Sequence, residues 1–263
     1  MENSGNTEKV VGLKGFSKPA DPNAKRARKG IYLLPNLLTT GALFSGFYAV
    51  LLGFGGRYEL AAMAIFLAMI FDGLDGRVAR MTNTQSDFGV QYDSLSDMVS
   101  FGVAPALLVY SWSLDATGKV GIAAAFVYAS CAALRLARFN VQSTLGSGSN
   151  WFTGLPSPVA AALIAGFVWS TNGSQPSFLL SGFTVLLTAT AGLLMVSNFK
   201  YPSFKQIDLR GKVPFVVILS VVMGFVVITL DPPRILFLLA FGFTFYAPFK
   251  SLWKKIRRKS KAQ

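Results

Sequence analysis

From residue 33 onward the chain alternates long apolar runs with short polar breaks. The runs fall near 33–54, 59–80, 89–110, 119–141, 156–170, 177–198, 213–230 and 234–252. About 20 apolar residues in a helix span the hydrocarbon core of a bilayer. Most of the runs approach that length, and the fifth is short. The pattern predicts an all-α protein, a polytopic transmembrane bundle of about eight spans occupying 31–252. A polar, basic stretch at 1–30 is expected to be a largely disordered cytosolic tail, with no apolar core of a secretory leader following its first residues. Residues 253–263 are expected to form a second basic cytosolic tail that anchors at the membrane surface.

Composition agrees with a membrane domain. Of 263 residues, 52% are hydrophobic and only 14% charged, a low charged share for a soluble domain of this length. The net charge of +13 could suit a nucleic acid, but its distribution argues otherwise. With the N-terminus in the cytosol, all but Arg57, Lys119 and Arg234 of the 25 basic residues fall on one side. Cytosolic loops of membrane proteins carry such an excess, and an even number of spans explains it with both termini inside. No nucleic-acid partner is expected.

The chain has no histidine and one cysteine, Cys131, within an apolar run. That removes the usual general base, the usual zinc ligand and any internal disulfide. Catalysis is left to carboxylates, Lys/Arg, hydroxyls or bound metal.

Two stretches interrupt the apolar pattern with acid. Phe71-Asp-Gly-Leu-Asp-Gly-Arg-Val-Ala-Arg80 closes the second run, and Phe88-Gly-Val-Gln-Tyr-Asp-Ser-Leu-Ser-Asp97 opens the third. On helices, Asp72, Asp75, Gly76 and Ala79 share one face, and Gly89, Asp93 and Asp97 share another. A join of roughly eight residues around Asn83–Ser86 is expected to bring the faces together at the cytosolic side. Four carboxylates at a membrane edge repel one another and are costly there. The cluster makes sense with divalent cations between them: all-oxygen donors suit Mg²⁺, Mn²⁺ or Ca²⁺, and two such ions form a site for phosphoryl chemistry. Gly76 and Ala79 let a flat ligand approach, and Arg80 is placed to pair with phosphate. Interfacial solvation explains a single Asp but not four. A cation transporter would use the acids but leaves the small residues and Arg80 without a role.

The pattern D-x-x-D-G-x-x-A-R followed by G-x-x-x-D-x-x-x-D resembles the signature of the CDP-alcohol phosphotransferases, and Asp72, Asp75, Gly76, Ala79, Arg80, Gly89, Asp93 and Asp97 fill it. The resemblance implies transfer of a phosphatidyl or similar group from a CDP-linked lipid to an alcohol, with release of CMP. It implies two divalent cations, Mg²⁺ or Mn²⁺ with Ca²⁺ as a possible occupant. Asp72, Asp75 and Asp93 would hold them, with a part for Asp97, which matches the position of the general base. Gly76 and Ala79 match the wall for the cytidine, and Arg80 a pyrophosphate contact. Further strings resemble the serine-transferring bacterial branch: Leu34–Thr39, Asp93–Pro105, Arg135–Asn140, Phe152–Pro158 and Met195–Pro202. That branch implies CDP-diacylglycerol and L-serine as substrates, a homodimer among membrane lipids, and an inner-membrane location with the site facing the cytosol. The relatives that use glycerol 3-phosphate usually read L-D-P-x-A-D-K where this chain reads Tyr92-Asp-Ser-Leu-Ser-Asp-Met98. Another acceptor such as glycerol 3-phosphate or inositol is the nearest alternative.

Serine carries a carboxylate and an ammonium group, so a buried pocket needs a cation and acceptors. Arg135, Arg138 and Asn140, at the cytosolic end of the fourth run, are the candidates. Asn36 and Thr39, with Gly89, are candidates for the CDP-lipid, the first two also for helix capping. Lys200 and Lys205 are expected to be headgroup anchors.

Overall fold

The structure is a computed structural model that describes residues 33–82, 84, 86–144, 151–171, 174, 176–202 and 215–260. The tail expected at 1–30 and Lys205 lie outside the described residues. Helices dominate: α1 (Leu33–Phe54), α2 (Tyr58–Thr82), α3 (Asp87–Asp97), α4 (Ala104–Val109), α5 (Lys119–Thr144), α6 (Ser157–Ser170), α7 (Phe178–Val196), α8 (Phe215–Leu230) and α9 (Pro232–Ser260). Two short strands, β1 (Trp151–Thr153) and β2 (Lys200–Pro202), pair antiparallel with Phe152 opposite Tyr201.

Among the described residues, five stretches are long and apolar enough to cross a bilayer: Leu33–Phe54, Asp87–Thr117, Lys119–Gln142, Phe178–Val196 and Pro232–Ser251. α2 has the length, with 25 residues, but carries Glu59, Asp72, Asp75, Arg77 and Arg80. α6 has only 14 residues, roughly 21 Å of helix. It can be short because it is the central rod, with Ala160, Ala161, Leu163, Ile164, Ala165 and Val168 all buried, packed among α2, α4, α7 and α9.

The third apolar run is longer than its sequence pattern predicts. α3 continues through a π-helical turn (Met98–Val103) into α4, a second π turn (Tyr110–Leu114) and a 3-10 turn (Asp115–Thr117). Pro105 contributes to the irregularity. It has no N–H to give the carbonyl of Phe101 four residues back. The buried Tyr128 on α5 donates its hydroxyl to that carbonyl instead, at 3.1 Å. The same device recurs in α9, where Pro248 leaves the carbonyl of Thr244 without its helical donor and the buried Tyr201 of β2 donates to it at 2.9 Å. In an apolar surrounding an orphaned carbonyl is costly, so each tyrosine ties a neighbouring element to a helix at its weak point.

α1 presents a stripe of small residues, Ala42, Gly46, Ala49 and Gly53, to the rod formed by α3 and α4. At Gly46 a methyl group would lie 2.5 Å from Ser100 Oγ and 2.7 Å from its Cα. Such stripes let membrane helices approach closely enough for van der Waals packing to hold them. α9 runs on to Ser260, so the stretch from 253 that is expected to form the basic tail is helical over most of its length.

Candidate active site

The join between α2 and α3 is shorter than the roughly eight residues expected. α2 continues to Thr82, and Ser86 caps α3 by accepting from Gly89 N at 3.0 Å. Only positions 83–86 remain between the helices, so α3 starts at Asp87, nearly two turns before Asp93, and packs back against α1. Asp72, Asp75 and Asp93 then each offer a carboxylate oxygen, all within 4.8 Å of one another. Asp75 is buried, 5% exposed. Asp97 lies one turn beyond Asp93, its carboxyl within hydrogen-bonding reach of Asp72.

α1 braces this cluster with hydroxyls and carbonyls. Thr39 Oγ1 donates to Asp75 Oδ2 at 2.6 Å. Its own carbonyl accepts from Ser96 Oγ at 3.1 Å, and that of Ala42 from Ser100 Oγ at 3.0 Å. Thr40 Oγ1 and Tyr92 OH are 2.9 Å apart. The hydroxyl of Thr39 therefore meets a cluster carboxylate and the carbonyl of Pro35. Asn36 sits beside Gly89, where a methyl group would lie 3.5 Å from its Oδ1. Gly76 is flanked by the Arg80 guanidinium, 3.5 Å from where a Cβ would stand. Arg80 is exposed and Ala79 half-buried beside it.

The three serine-pocket candidates on α5 take different partners. Arg135 donates to Ser157 Oγ at the start of α6 and lies close enough to Asp97 and Asp72 for charge attraction. Asn140 Nδ2 donates to Ser94 Oγ at 2.9 Å, next to Asp93. Arg138 instead grips backbone. Its guanidinium donates to the carbonyls of Thr153 at 2.8 Å and of Met195 and Val196 at 3.1 Å. It thereby fastens the β1–β2 pair to the end of α7. Ser157, Ser94 and Tyr92 were not singled out from sequence. They lie in strings that resemble the serine-transferring branch, but a serine or tyrosine carries no role until its partner is seen.

Gly154 shows how tight this corner is. Its φ is +84°, and a Cβ there would stand 2.1 Å from the carbonyl oxygen of Met195 and 2.6 Å from Arg138 Nη2. Gly154→Ala therefore combines a left-handed backbone with an overlap that only a backbone shift relieves, each costing about 1–3 kcal/mol. The expected outcome is a lower unfolding temperature of the detergent-purified protein, with activity falling as the β1–β2 corner moves off Arg138. An unchanged melting curve would contradict this placement.

The donor set of the cluster is oxygen throughout, supplied by three carboxylates from two helices with a threonine hydroxyl behind one of them. That set fits hard divalent cations, Mg²⁺ or Mn²⁺, and not a thiolate- or imidazole-seeking metal. The sequence profile of the CDP-alcohol phosphatidyltransferases matches residues 32–197, which takes in α1 to α7 with the whole cluster. The chain belongs to that family. Its CDP-alcohol phosphatidyltransferase relatives include the CDP-diacylglycerol–serine O-phosphatidyltransferase of Helicobacter pylori (strain J99), 40% identical over 202 residues, 74% of this chain and 83% of that one. The protein of the same name from Bacillus subtilis (strain 168) is 36% identical over 174 residues, covering 66% of this chain and 92% of that protein. The archaetidylserine synthase of Methanothermobacter thermautotrophicus is 42% identical over 176 residues, 64% of this chain and 69% of that one.

Proposed function

We propose that this enzyme transfers the phosphatidyl group of CDP-diacylglycerol to the hydroxyl of L-serine, giving phosphatidylserine and CMP. One observation carries the choice of acceptor. Relatives at 36–42% identity are named for different lipids, phosphatidyl or archaetidyl, but serine is common to their names. The family membership supplies the chemistry and the relatives supply the alcohol.

In this reading the eight helical rods all cross the bilayer, both ends of the chain lie in the cytosol, and the cluster opens to the cytosolic side of a bacterial inner membrane. The chain works as a homodimer. Asp72, Asp75 and Asp93, with Asp97 at their edge, would hold two divalent cations, which when bound neutralise the pyrophosphate and stabilise charge on the departing CMP. Gly76 and Ala79 leave the face of α2 bare, so the cytidine can lie against the backbone. Arg80, exposed at the mouth, pairs with a phosphate oxygen. Asn36 lines the same cleft beside Gly89. Thr39 acts on the lipid through Asp75, whose orientation its hydroxyl fixes. Asp97 accepts the proton of the serine hydroxyl as that oxygen attacks phosphorus.

The serine carboxylate is given to Arg135, held beside the cluster by Ser157, with Asn140 and Ser94 as the neighbouring polar pair. Arg138 serves this pocket indirectly by holding the β1–β2 corner. Asp97 lies close to Arg135, so a serine held there by its carboxylate keeps its hydroxyl within reach of Asp97.

An acceptor panel tests the assignment. Membranes carrying the protein, given CDP-diacylglycerol and Mn²⁺ or Mg²⁺, are expected to release CMP with L-serine and to incorporate labelled serine into chloroform-soluble lipid. Faster incorporation of glycerol 3-phosphate or inositol would sink the serine assignment. No CMP release with any alcohol, together with cation flux, would point to transport instead.

A further inference from the structure

Among the described residues, no other element covers one face of α9, and the reaction makes no use of it. Ala240, Thr244 and Ala247 are buried on the face that packs against α6. On the outward face the chain forms a cleft of about 540 Å³, lined among others by Gly242, Phe245, Phe249, Lys250, Trp253 and Arg257. Around its inner end Gly242 leaves open space, with nothing within 4 Å of where a Cβ would stand. Phe249 is 67% and Trp253 61% exposed. The cleft is apolar for its first two turns and cationic at its end.

The direction of α9 gives that polarity its meaning. Tyr201, on the strand fastened by Arg138 at the active-site end, bonds the carbonyl of Thr244. Lys250 and Arg257 lie further along the helix, so they stand at the same membrane surface as the aspartates. Gly242 to Phe249 then runs at acyl-chain depth, and Trp253 sits where tryptophan favours the headgroup level. Lys250 and Arg257 are seven residues apart, roughly 10 Å along the axis, and both have side chains long enough to meet on one phosphate. Lys250 Nζ is steered along this face by its bond to Tyr246 OH at 3.0 Å.

We propose that this cleft is a binding site for a single anionic phospholipid, its phosphate clasped between Lys250 and Arg257 and one acyl chain laid in the Gly242–Phe249 notch. Any lipid tail would cover the apolar part. The two cations at its interfacial end make the selection, because a zwitterionic headgroup brings its own positive charge to compete for the phosphate while an anionic one does not. The site is separate from the aspartate cluster and does not depend on which alcohol the enzyme uses.

Trp253 provides the reporter. The full chain is reconstituted in phosphatidylcholine vesicles doped with either brominated phosphatidylglycerol or brominated phosphatidylcholine, and the fluorescence lost in Trp253→Phe identifies the Trp253 component. Brominated phosphatidylglycerol is expected to quench that component at a mole fraction on the order of tenfold lower than brominated phosphatidylcholine. Lys250→Gln/Arg257→Gln should erase the difference while CMP release in detergent micelles stays within about twofold. The proposal is overturned if both lipids quench alike, if the double variant keeps the preference, or if neither lipid quenches and Trp253 is instead shielded by a second copy, seen as a concentration-dependent cross-link through this face.

Discussion

Asp97→Asn is expected to lower kcat by about 10²–10⁴, the usual contribution of a positioned general base, while the affinity for CDP-diacylglycerol stays close to that of the parent enzyme. The geometry separates the two effects. Asp72, Asp75 and Asp93 share the 4.8 Å cluster, and Asp97 stands a turn beyond it, against Asp72 and facing Arg135. Asparagine keeps the size of the side chain and can still donate toward Asp72, so the frame of the cluster survives. It cannot take up a proton from the acceptor hydroxyl. The measurement is paired: CMP release under saturating serine, and equilibrium binding of the CDP-lipid in the presence of Mn²⁺. If Asp97→Asn loses donor binding as fully as Asp72→Asn does, Asp97 is a ligand of the donor complex and the proposed base must be sought elsewhere.

Much of this site was legible in the sequence, for a reason that lies in helix geometry. Asp72, Asp75, Gly76 and Ala79 recur at spacings of three and four, as do Gly89, Asp93 and Asp97, and a helix turns such spacings into faces whatever surrounds them. Lengths of apolar runs likewise map onto rods, which is why the boundaries of α1, α5, α6 and α7 fall within a few residues of the runs that predicted them. Three things were not legible. The first is the close fit of the α2–α3 join, because it depends on Ser86 serving as a cap and Thr82 staying helical. The second is the partner of a long side chain. Arg135 and Arg138 are one turn apart on α5, and nothing in their own positions says that one faces Asp97 and the other a set of four backbone carbonyls. The third is compensation for proline. Pro105 and Pro248 announce a missing donor, but the tyrosines that answer them, Tyr128 and Tyr201, come from elements far away in sequence.

Charge packed without a cation destabilises and charge packed around one stabilises, and Asp93 is where the two can be separated. Asp93 is the one member of the close cluster that α3 supplies; α2 supplies the other two. Asp93→Asn should lower activity by on the order of 10²–10³ through lost stabilisation of the reacting phosphate. Its stability signature should have two opposite signs. Without metal, three carboxylates within 4.8 Å repel one another in surroundings that screen them poorly, so removing one charge is expected to raise the unfolding temperature. With Mn²⁺ the parent gains stability as the ion binds only the folded state, about 2.7 kcal/mol at a concentration one hundred times the dissociation constant. The variant, holding the ion more weakly, should gain much less. Melting curves of the two proteins should therefore cross as Mn²⁺ is added, with the variant more stable at first and the parent more stable at saturation. Curves that run parallel at every Mn²⁺ concentration would mean that Asp93 is not a metal ligand, and the cluster would then have to bind its substrate through Arg80 and backbone alone.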